Sequence, residues 1–330
     1  MKIVLTCGDV NGIGLETLLK SADVMSSSLY FKDTEFYLSC NTQSLLEYAK
    51  KIGYDIEILN ERVIVSDHYM KILECDNYSP VHFGKVTRNA GSLSVESLEK
   101  AIVHTLNHKF DALVTLPISK ESAYLAGFKY PGQTEMLAEK SKVASPLMIL
   151  FKDDLRVALA TIHEPLRTVP DLITKEKLTA LINQFNNSLK IDFGIDKPKI
   201  AVLGLNPHAG ENGKIGMEEN TIISVALEQL KTEGVLVHGP YPADGFFAHG
   251  DYRNFDGIVA MYHDQGLVPL KLLAHGTGVN FTAGLPVVRT SPDHGTAYGI
   301  SGKGIASPDS LIAALISAVK IVKARKNHKN

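Results

Sequence analysis

Short runs of apolar, β-branched residues alternate along the chain with longer stretches whose apolar positions recur every three to four residues, which predicts an α/β fold. Residues 3–6, 34–39, 56–65 and 111–116 read as strands, and 15–25 and 91–108 as helices. In the second helix Leu93, Leu98, Ala101, Ile102 and Val103 supply the apolar positions. The same logic returns at 155–162, 199–205 and 256–262, with helical patterns at 174–189 and 218–233. Ser307-Pro308-Asp309 places proline at a helix start and predicts a closing helix over 311–322. The basic tail after Lys323 reads as a solvated, fraying helix end. No repeat or low-complexity linker marks a boundary, but 330 residues exceed one average domain, so two lobes are expected.

Composition narrows the class. With 45% hydrophobic and 21% charged residues the chain is an ordinary globular protein, and a net charge of −2 gives it no general attraction to nucleic acid or anionic membrane. Cys7, Cys40 and Cys75 are separated in sequence and form no C-x-x-C pair, which fits a reducing compartment. Cys7 lies beside a glycine-rich turn, where a reactive thiol is one reading and a small buried hydrophobe the simpler one. No stretch nears the roughly 18 apolar residues of a membrane span, and Gly8-Asp9 arrives too early for a signal-peptide core, so a cytoplasmic location is expected.

The most informative pattern is positional. Three strand candidates each run into a histidine: Ala158-Leu159-Ala160-Thr161-Ile162-His163, Leu203-Gly204-Leu205-Asn206-Pro207-His208 and Val259-Ala260-Met261-Tyr262-His263. A lone histidine at a strand end is more often a capped, half-exposed polar residue. Three in one relative position can converge on a metal, because open α/β sheets bind ligands beyond the carboxyl ends of their strands. Asp264 beside His263, and Asp244 in Pro242-Ala243-Asp244, are candidate proton acceptors or orienting carboxylates. Lys271, within Val268-Pro269-Leu270-Lys271-Leu272-Leu273, is either desolvated and chemically useful or an edge lysine reaching water.

No G-x-G-x-x-G is present. Gly8-Asp9-Val10-Asn11-Gly12-Ile13-Gly14 follows a strand and opens a helix, a place for an anion, and Asp293–Gly304 forms a second glycine-rich loop. Taken together, Gly204-Leu205-Asn206-Pro207-His208-Ala209-Gly210-Glu211, Tyr262-His263-Asp264-Gln265-Gly266-Leu267 and Arg289-Thr290-Ser291-Pro292-Asp293-His294-Gly295-Thr296-Ala297 resemble the signatures of the 4-hydroxythreonine-4-phosphate dehydrogenase family. The resemblance extends to Gly8-Asp9, Gly12-Ile13-Gly14, Thr115, Pro117 and Lys120, so it spans nearly the whole chain.

It implies a two-lobed α/β/α fold like that of isocitrate and isopropylmalate dehydrogenases, with the active site in an interdomain cleft. Residues 1–131 and 276–330 would form the nucleotide-side lobe, and 132–275 the metal, substrate and dimerisation lobe. His163, His208 and His263 would bind a divalent metal, zinc first and cobalt, nickel or magnesium otherwise, at a site completed across a homodimer interface. Gln133, Thr134, Lys271, Asn280 and Arg289 would hold substrate, with Asp244, Asp264 and Lys271 as the groups that move protons. His294, Gly295, Thr296, Ala297 and Gly302 would line the nucleotide site.

The implied activity is NAD(P)-linked oxidative decarboxylation of 4-phosphooxy-L-threonine in pyridoxal 5'-phosphate biosynthesis. The alternatives are a sister dehydrogenase of D-threonate or D-erythronate 4-phosphate, or a silent metal- or nucleotide-binding homologue. The chain departs from the family pattern at Gln133, usually histidine, at Val10 and Leu15, usually proline, and at Gly245, usually threonine. Gly299 replaces an aspartate that would face the adenosine ribose, which leaves NAD and NADP both open.

Overall fold

A computed structural model describes residues 1–60, 62–65 and 68–329. The chain forms two compact units, one of residues 1–146 and 285–322 and one of residues 147–284 and 323–330. These limits fall later than the 131/132 and 275/276 boundaries expected from the resemblance, and they place Gln133 and Thr134 in the first unit. The physical reason is packing: Met136 and Leu137, on the helix Gln133–Lys140, are buried with Leu98, Ile102 and Leu113 in the first unit's core.

The strands in chain order are β1 (Lys2–Thr6), β2 (Glu35–Cys40), β3 (Ile56–Leu59), β4 (Arg62–Val65), β5 (His68–Glu74), β6 (Ala112–Val114), β7 (Leu147–Lys152), β8 (Leu155–Leu159), β9 (Lys199–Leu203), β10 (Leu236–Tyr241), β11 (Gly257–Ala260), β12 (Val279–Ala283) and β13 (Val288–Pro292). In the first unit they run in the order β13-β6-β1-β2-β5-β4-β3. Of these, β13, β6, β1, β2 and β5 are parallel, and β3 and β4 form an antiparallel edge. Ile3, Val4 and Leu5 are all fully buried, as a parallel strand covered on both faces requires. The single strand expected over 56–65 is instead two, β3 and β4, separated by a turn at which Asn60 has φ 50°; residue 61 lies outside the described residues.

The second unit runs β10-β9-β11-β8-β7-β12, with β10, β9, β11 and β8 parallel and β7 antiparallel to both its neighbours. Leu159, Leu203 and Ala260, each near the end of a parallel strand, share one core with Leu267 and Leu270 of the helix His263–Ala274. The expected helices appear at Gly14–Ser27, Arg88–Leu106 and Lys175–Ile191, the last two capped by Thr87 and Thr174. The tail is more ordered than expected. The last helix spans Asp309–Lys329, and Arg325 donates to the buried Asp192 at 2.6 Å. Among the described residues no helix is long and apolar enough to cross a membrane.

One carboxylate ties a loop of the first unit to its core. Glu96 accepts from the backbone N–H groups of Asp76 and Asn77 and pairs with Lys100. Burial raises its pKa, but Lys100 and these amide donors outweigh it and pull the group down to about 2. A depressed folded-state pKa stabilises above the unfolded value and ceases to as pH falls through the folded one. Glu96→Gln should therefore lower denaturant stability at neutral pH, and the gap to the parent should close between about pH 5 and pH 2. A gap that persists undiminished at the acid end would contradict this.

Candidate functional site

The three histidines lie where the strand pattern put them. β9, β11 and β8 are consecutive parallel neighbours, and His208, His263 and His163 follow their carboxyl ends within a few residues. The exits of β8 and β11 continue side by side. Ala160 N–H donates to Ala260 O at 2.8 Å, and Thr161 donates to Met261 O through both its amide and its hydroxyl. This shared exit brings the rings of His163 and His263 to 5.9 Å between centroids, tilted by 37°. His263 Nδ1 lies 2.7 Å from Asp264 Oδ1, so the carboxylate engages Nδ1 and Nε2 is the ring nitrogen left for a ligand. Both histidines line a cavity of about 370 Å³ with Ile162, Glu164, Pro165, Leu166, Tyr262 and Asp264.

His208 does not join them. The exit of β9 is held from both sides, Gly204 N–H donating to Tyr241 O of β10 and Gly204 O accepting from Gln265. From His208 to Gly213 the backbone is left-handed, with φ of 53°, 48°, 78°, 44°, 56° and 90°. Such a conformation costs an L-residue roughly 1–2 kcal/mol, so the four non-glycine residues of this run, two on each side of Gly210, need strong local anchoring. Among the described residues no group of three His, Cys, Asp or Glu side chains is placed to hold a metal ion. Two imidazoles of the expected set are neighbours, and their neutral nitrogen donors are of the kind that a divalent transition metal takes; the third stands on the same sheet edge.

Two residues that the sequence reading left without a role organise this edge. Gln265 accepts from Met261 N–H at 2.7 Å and donates to Gly204 O at 2.6 Å, linking the exits of β11 and β9. Glu219, 2% exposed, accepts from the N–H groups of Leu205 and Asn206. Its pKa is raised by burial but lowered more by these donors and the Asn206 side chain, so the net direction is downward. A glutamate pair after a glycine-rich stretch reads as a solvated helix start, and nothing in the spacing marks one member as buried.

Two of the other expected residues of this unit are exposed and one is half-buried. Asp244 is exposed in the first turn of the helix Ala243–Ala248. Lys271 is exposed too. Helical periodicity buries Leu267, Leu270 and Ala274 and turns Lys271 outward with Val268 and Leu272. Asn280, on β12, donates weakly to Met148 Sδ at 3.6 Å, and its buried Oδ1 has no partner among the described residues.

In the first unit Gln133, Thr134 and Arg289 are gathered around the end of β6. Arg289, 4% exposed on β13, donates to Thr115 Oγ1 from Nε at 3.0 Å and from Nη2 at 2.7 Å, and reaches Thr134 Oγ1 from Nη1 at 3.4 Å. Burial lowers the guanidinium to about 10, against the pull of Glu135, so it remains charged at neutral pH. Gln133 donates through Nε2 to Leu116 O at 3.2 Å. That bond fixes the amide with its buried Oε1 unpartnered among the described residues.

The first glycine-rich loop is not an open anion site. Residues 7–15 are buried, and the amides a ligand would use are taken: Asp9 N–H by Pro117 O, Gly12 N–H by Asp9 O and Ile13 N–H by Thr296 O. The loop serves as a platform for the C-terminal one. Tyr298 donates to Asp9 Oδ2 at 2.9 Å, Ser301 to Asn11 O at 2.7 Å, and a Cβ on Gly12 would lie 2.8 Å from Thr296 O. Gly295 and Gly299 have open space where a side chain would stand, and the buried His294 Nε2 lacks a partner among the described residues. That open face suits close approach of a ligand to the backbone.

The cysteines, separated in sequence, come together at the ends of β1, β2 and β5. All three are buried. The contact with Cys7, then burial, raises the Cys40 thiol, and burial pushes Cys75 to about 12, which fits inert core residues rather than nucleophiles.

The sequence profile of the family described as pyridoxal phosphate biosynthetic protein PdxA matches residues 30–318. The 4-hydroxythreonine-4-phosphate dehydrogenase of Bacteroides thetaiotaomicron is 42% identical over 331 residues, covering 100% of this chain and 91% of that protein. Among solved structures, a putative 4-hydroxythreonine-4-phosphate dehydrogenase from Salmonella typhimurium superposes with a TM-score of 0.82 at 33% identity, covering 97% of this chain and 99% of that one. An isocitrate dehydrogenase from Methylococcus capsulatus, 14% identical with a TM-score of 0.51 over 99% of this chain and 87% of its own, shares the fold.

Proposed function

This chain belongs to the family of the pyridoxal phosphate biosynthetic protein PdxA, and from that membership we propose that it is an NAD(P)-dependent oxidoreductase acting on 4-phosphooxy-L-threonine. The reaction removes hydride from the C3 carbinol and a proton from its hydroxyl. The resulting β-keto acid then loses carbon dioxide to give 3-amino-2-oxopropyl phosphate. The observation that carries the reading is the His163–His263 pair beyond two parallel strands, in a chain 42% identical over its full length to a relative bearing that activity's name.

His163 and His263 would hold a divalent ion, with His208 completing the set when two subunits assemble. When bound, the ion supplies Lewis acidity at the substrate hydroxyl, and the nicotinamide supplies the hydride acceptor. Neutral imidazoles suit zinc, cobalt or nickel better than magnesium. Asp264 orients His263, and Asp244 takes the hydroxyl proton. Arg289, fixed by Thr115 and Thr134, meets an anionic group of the substrate. Gln133 offers an acceptor to a substrate N–H or O–H, and Lys271 and Asn280 are further substrate contacts. The open backbone around Gly295 and Gly299 takes the dinucleotide. Leu166, Val268 and Leu272, apolar and more than half exposed in the single chain, suit a homodimer interface. The three buried free cysteines suit a reducing compartment, and the enzyme would work in the cytoplasm.

Purified enzyme with each cofactor, offered 4-phosphooxy-L-threonine, D-threonate 4-phosphate and D-erythronate 4-phosphate, tests this through reduced-nicotinamide absorbance. The highest kcat/KM should fall on 4-phosphooxy-L-threonine. Preference for either four-carbon sugar acid would reassign the substrate, and binding without reduction of cofactor would remove the enzymatic reading.

A further inference from the structure

We propose that Glu219 is a positioning residue for His208: its enclosed carboxylate holds the left-handed turn that presents the imidazole. The inference rests on the metal-site reading above, and it goes beyond the histidines to what fixes one of them.

The geometry converges on a single side chain. Glu219 Oε1 accepts from Leu205 N–H at 2.8 Å and from Asn206 N–H at 2.7 Å. Its Oε2 accepts from Asn206 Nδ2 at 3.0 Å, and the same Nδ2 donates to Glu218 Oε2 at 2.8 Å. The loop closes over the carboxylate from the other side. A Cβ on Gly210 would lie 2.5 Å from Glu219 Oε2, and one on Gly204 would lie 3.2 Å from Oε1. Gly204 and Gly210 therefore both lie close against these two oxygens, and His208 sits between them in sequence. Glu219 also opens a π-helical turn, Glu219–Ile223, before the chain settles into the helix Ser224–Thr232. Such turns are rare and recur at functional sites because they re-aim side chains.

Glutamine cannot substitute cleanly. Its oxygen can keep the two backbone donors, but its NH₂ then faces Asn206 Nδ2, another donor. Turning the Asn206 amide over to relieve that contact would set its oxygen against the Glu218 carboxylate. The turn should loosen, and with it the direction of the His208 ring.

The test uses full-length protein stripped of metal by a chelator and titrated with Co(II), read by calorimetry and by the visible d–d bands, which report coordination number. Partners that orient metal ligands typically contribute about 10- to 100-fold in affinity. Glu219→Gln should weaken Co(II) binding by about that factor and change the band shape, while circular dichroism shows a folded protein. Gly210→Ala, which keeps every hydrogen-bonding group but crowds the carboxylate and strains the left-handed backbone, should act in the same direction; if Glu219→Gln does not fold, parental affinity and spectrum in a folded Gly210→Ala protein overturn the positioning role. His208→Ala is the reference for a lost ligand. Parental affinity and spectrum in a folded Glu219→Gln protein, with His208→Ala impaired, would overturn the positioning role alone. If the parent binds no Co(II), or His208→Ala binds like the parent, the metal-site reading itself fails and the role of Glu219 goes with it.

Discussion

Replacing His208 with alanine should abolish turnover, and added zinc should not restore it. The expectation follows from what a third imidazole contributes. His163 and His263 already lie together beyond β8 and β11, but two neutral donors hold a divalent ion weakly, and transition-metal catalytic sites ordinarily use three protein ligands. Losing the ion removes several kcal/mol of charge stabilisation from the step that ionises the substrate hydroxyl, which amounts to a fall in kcat of about 10³-fold or more. His238→Ala is the matched control, because His238 is an exposed histidine on β10 with no role in the site. Parental kcat in a folded His208→Ala protein would remove this histidine from the metal set. Rescue by excess zinc would make it a minor ligand.

The second large effect is expected at Arg289. Its guanidinium is 4% exposed, and three of its nitrogens engage the hydroxyls of Thr115 and Thr134. A buried charge held in this way is preorganised for an anionic partner. Truncating one member of a buried, hydrogen-bonded charge pair costs roughly 2–5 kcal/mol. Arg289→Ala should therefore reduce kcat/KM by about 10²- to 10³-fold, mostly through KM if the contact is made equally to substrate and transition state. Arg289→Lys should recover little, because an ammonium cannot reproduce the fork that meets Thr115 at two points. Steady-state kinetics on variants with parental melting temperatures check this. A lysine variant with parental KM would show that only the charge matters, and an alanine variant with parental KM would take Arg289 out of the substrate site.

Much of the architecture was legible because the parallel strands are buried on both faces and read as unbroken apolar runs. β8, β9 and β11 fall inside the stretches expected at 155–162, 199–205 and 256–262. The strands that escaped notice are those whose apolar pattern is interrupted. β12 carries Asn280 and Thr282, and β13 carries Arg289, Thr290 and Ser291, all but Asn280 buried. Polar residues inside a sheet look like loop when periodicity is the only guide, and here two of them are expected substrate contacts. β7 was missed for a different reason: it pairs antiparallel with β8 through a tight turn at Asp153, which splits one apolar region in two.

At the site, the positions of the histidines along the strands could be read, but the directions in which their loops leave the sheet could not. Whether a strand exit follows one neighbour or the other depends on bonds such as Thr161 to Met261 and Gly204 to Tyr241, which join residues distant in sequence. The same limit explains the loop at Gly8–Gly14. Its glycines and the helix behind it are what an anion site needs, yet Thr296 O already occupies the amide of Ile13. Glu219 was hidden because burial of a glutamate is decided by the loop that folds over it, not by its neighbours in sequence.

Diffraction from cobalt-loaded crystals, collected on both sides of the cobalt absorption edge, tests the central claim most directly. One anomalous peak per subunit is expected, at about 2.0–2.1 Å from a ring nitrogen of each of His163, His208 and His263, whichever subunit of the dimer supplies each ring. A peak elsewhere, or one at the His163–His263 pair with His208 left apart, would contradict it.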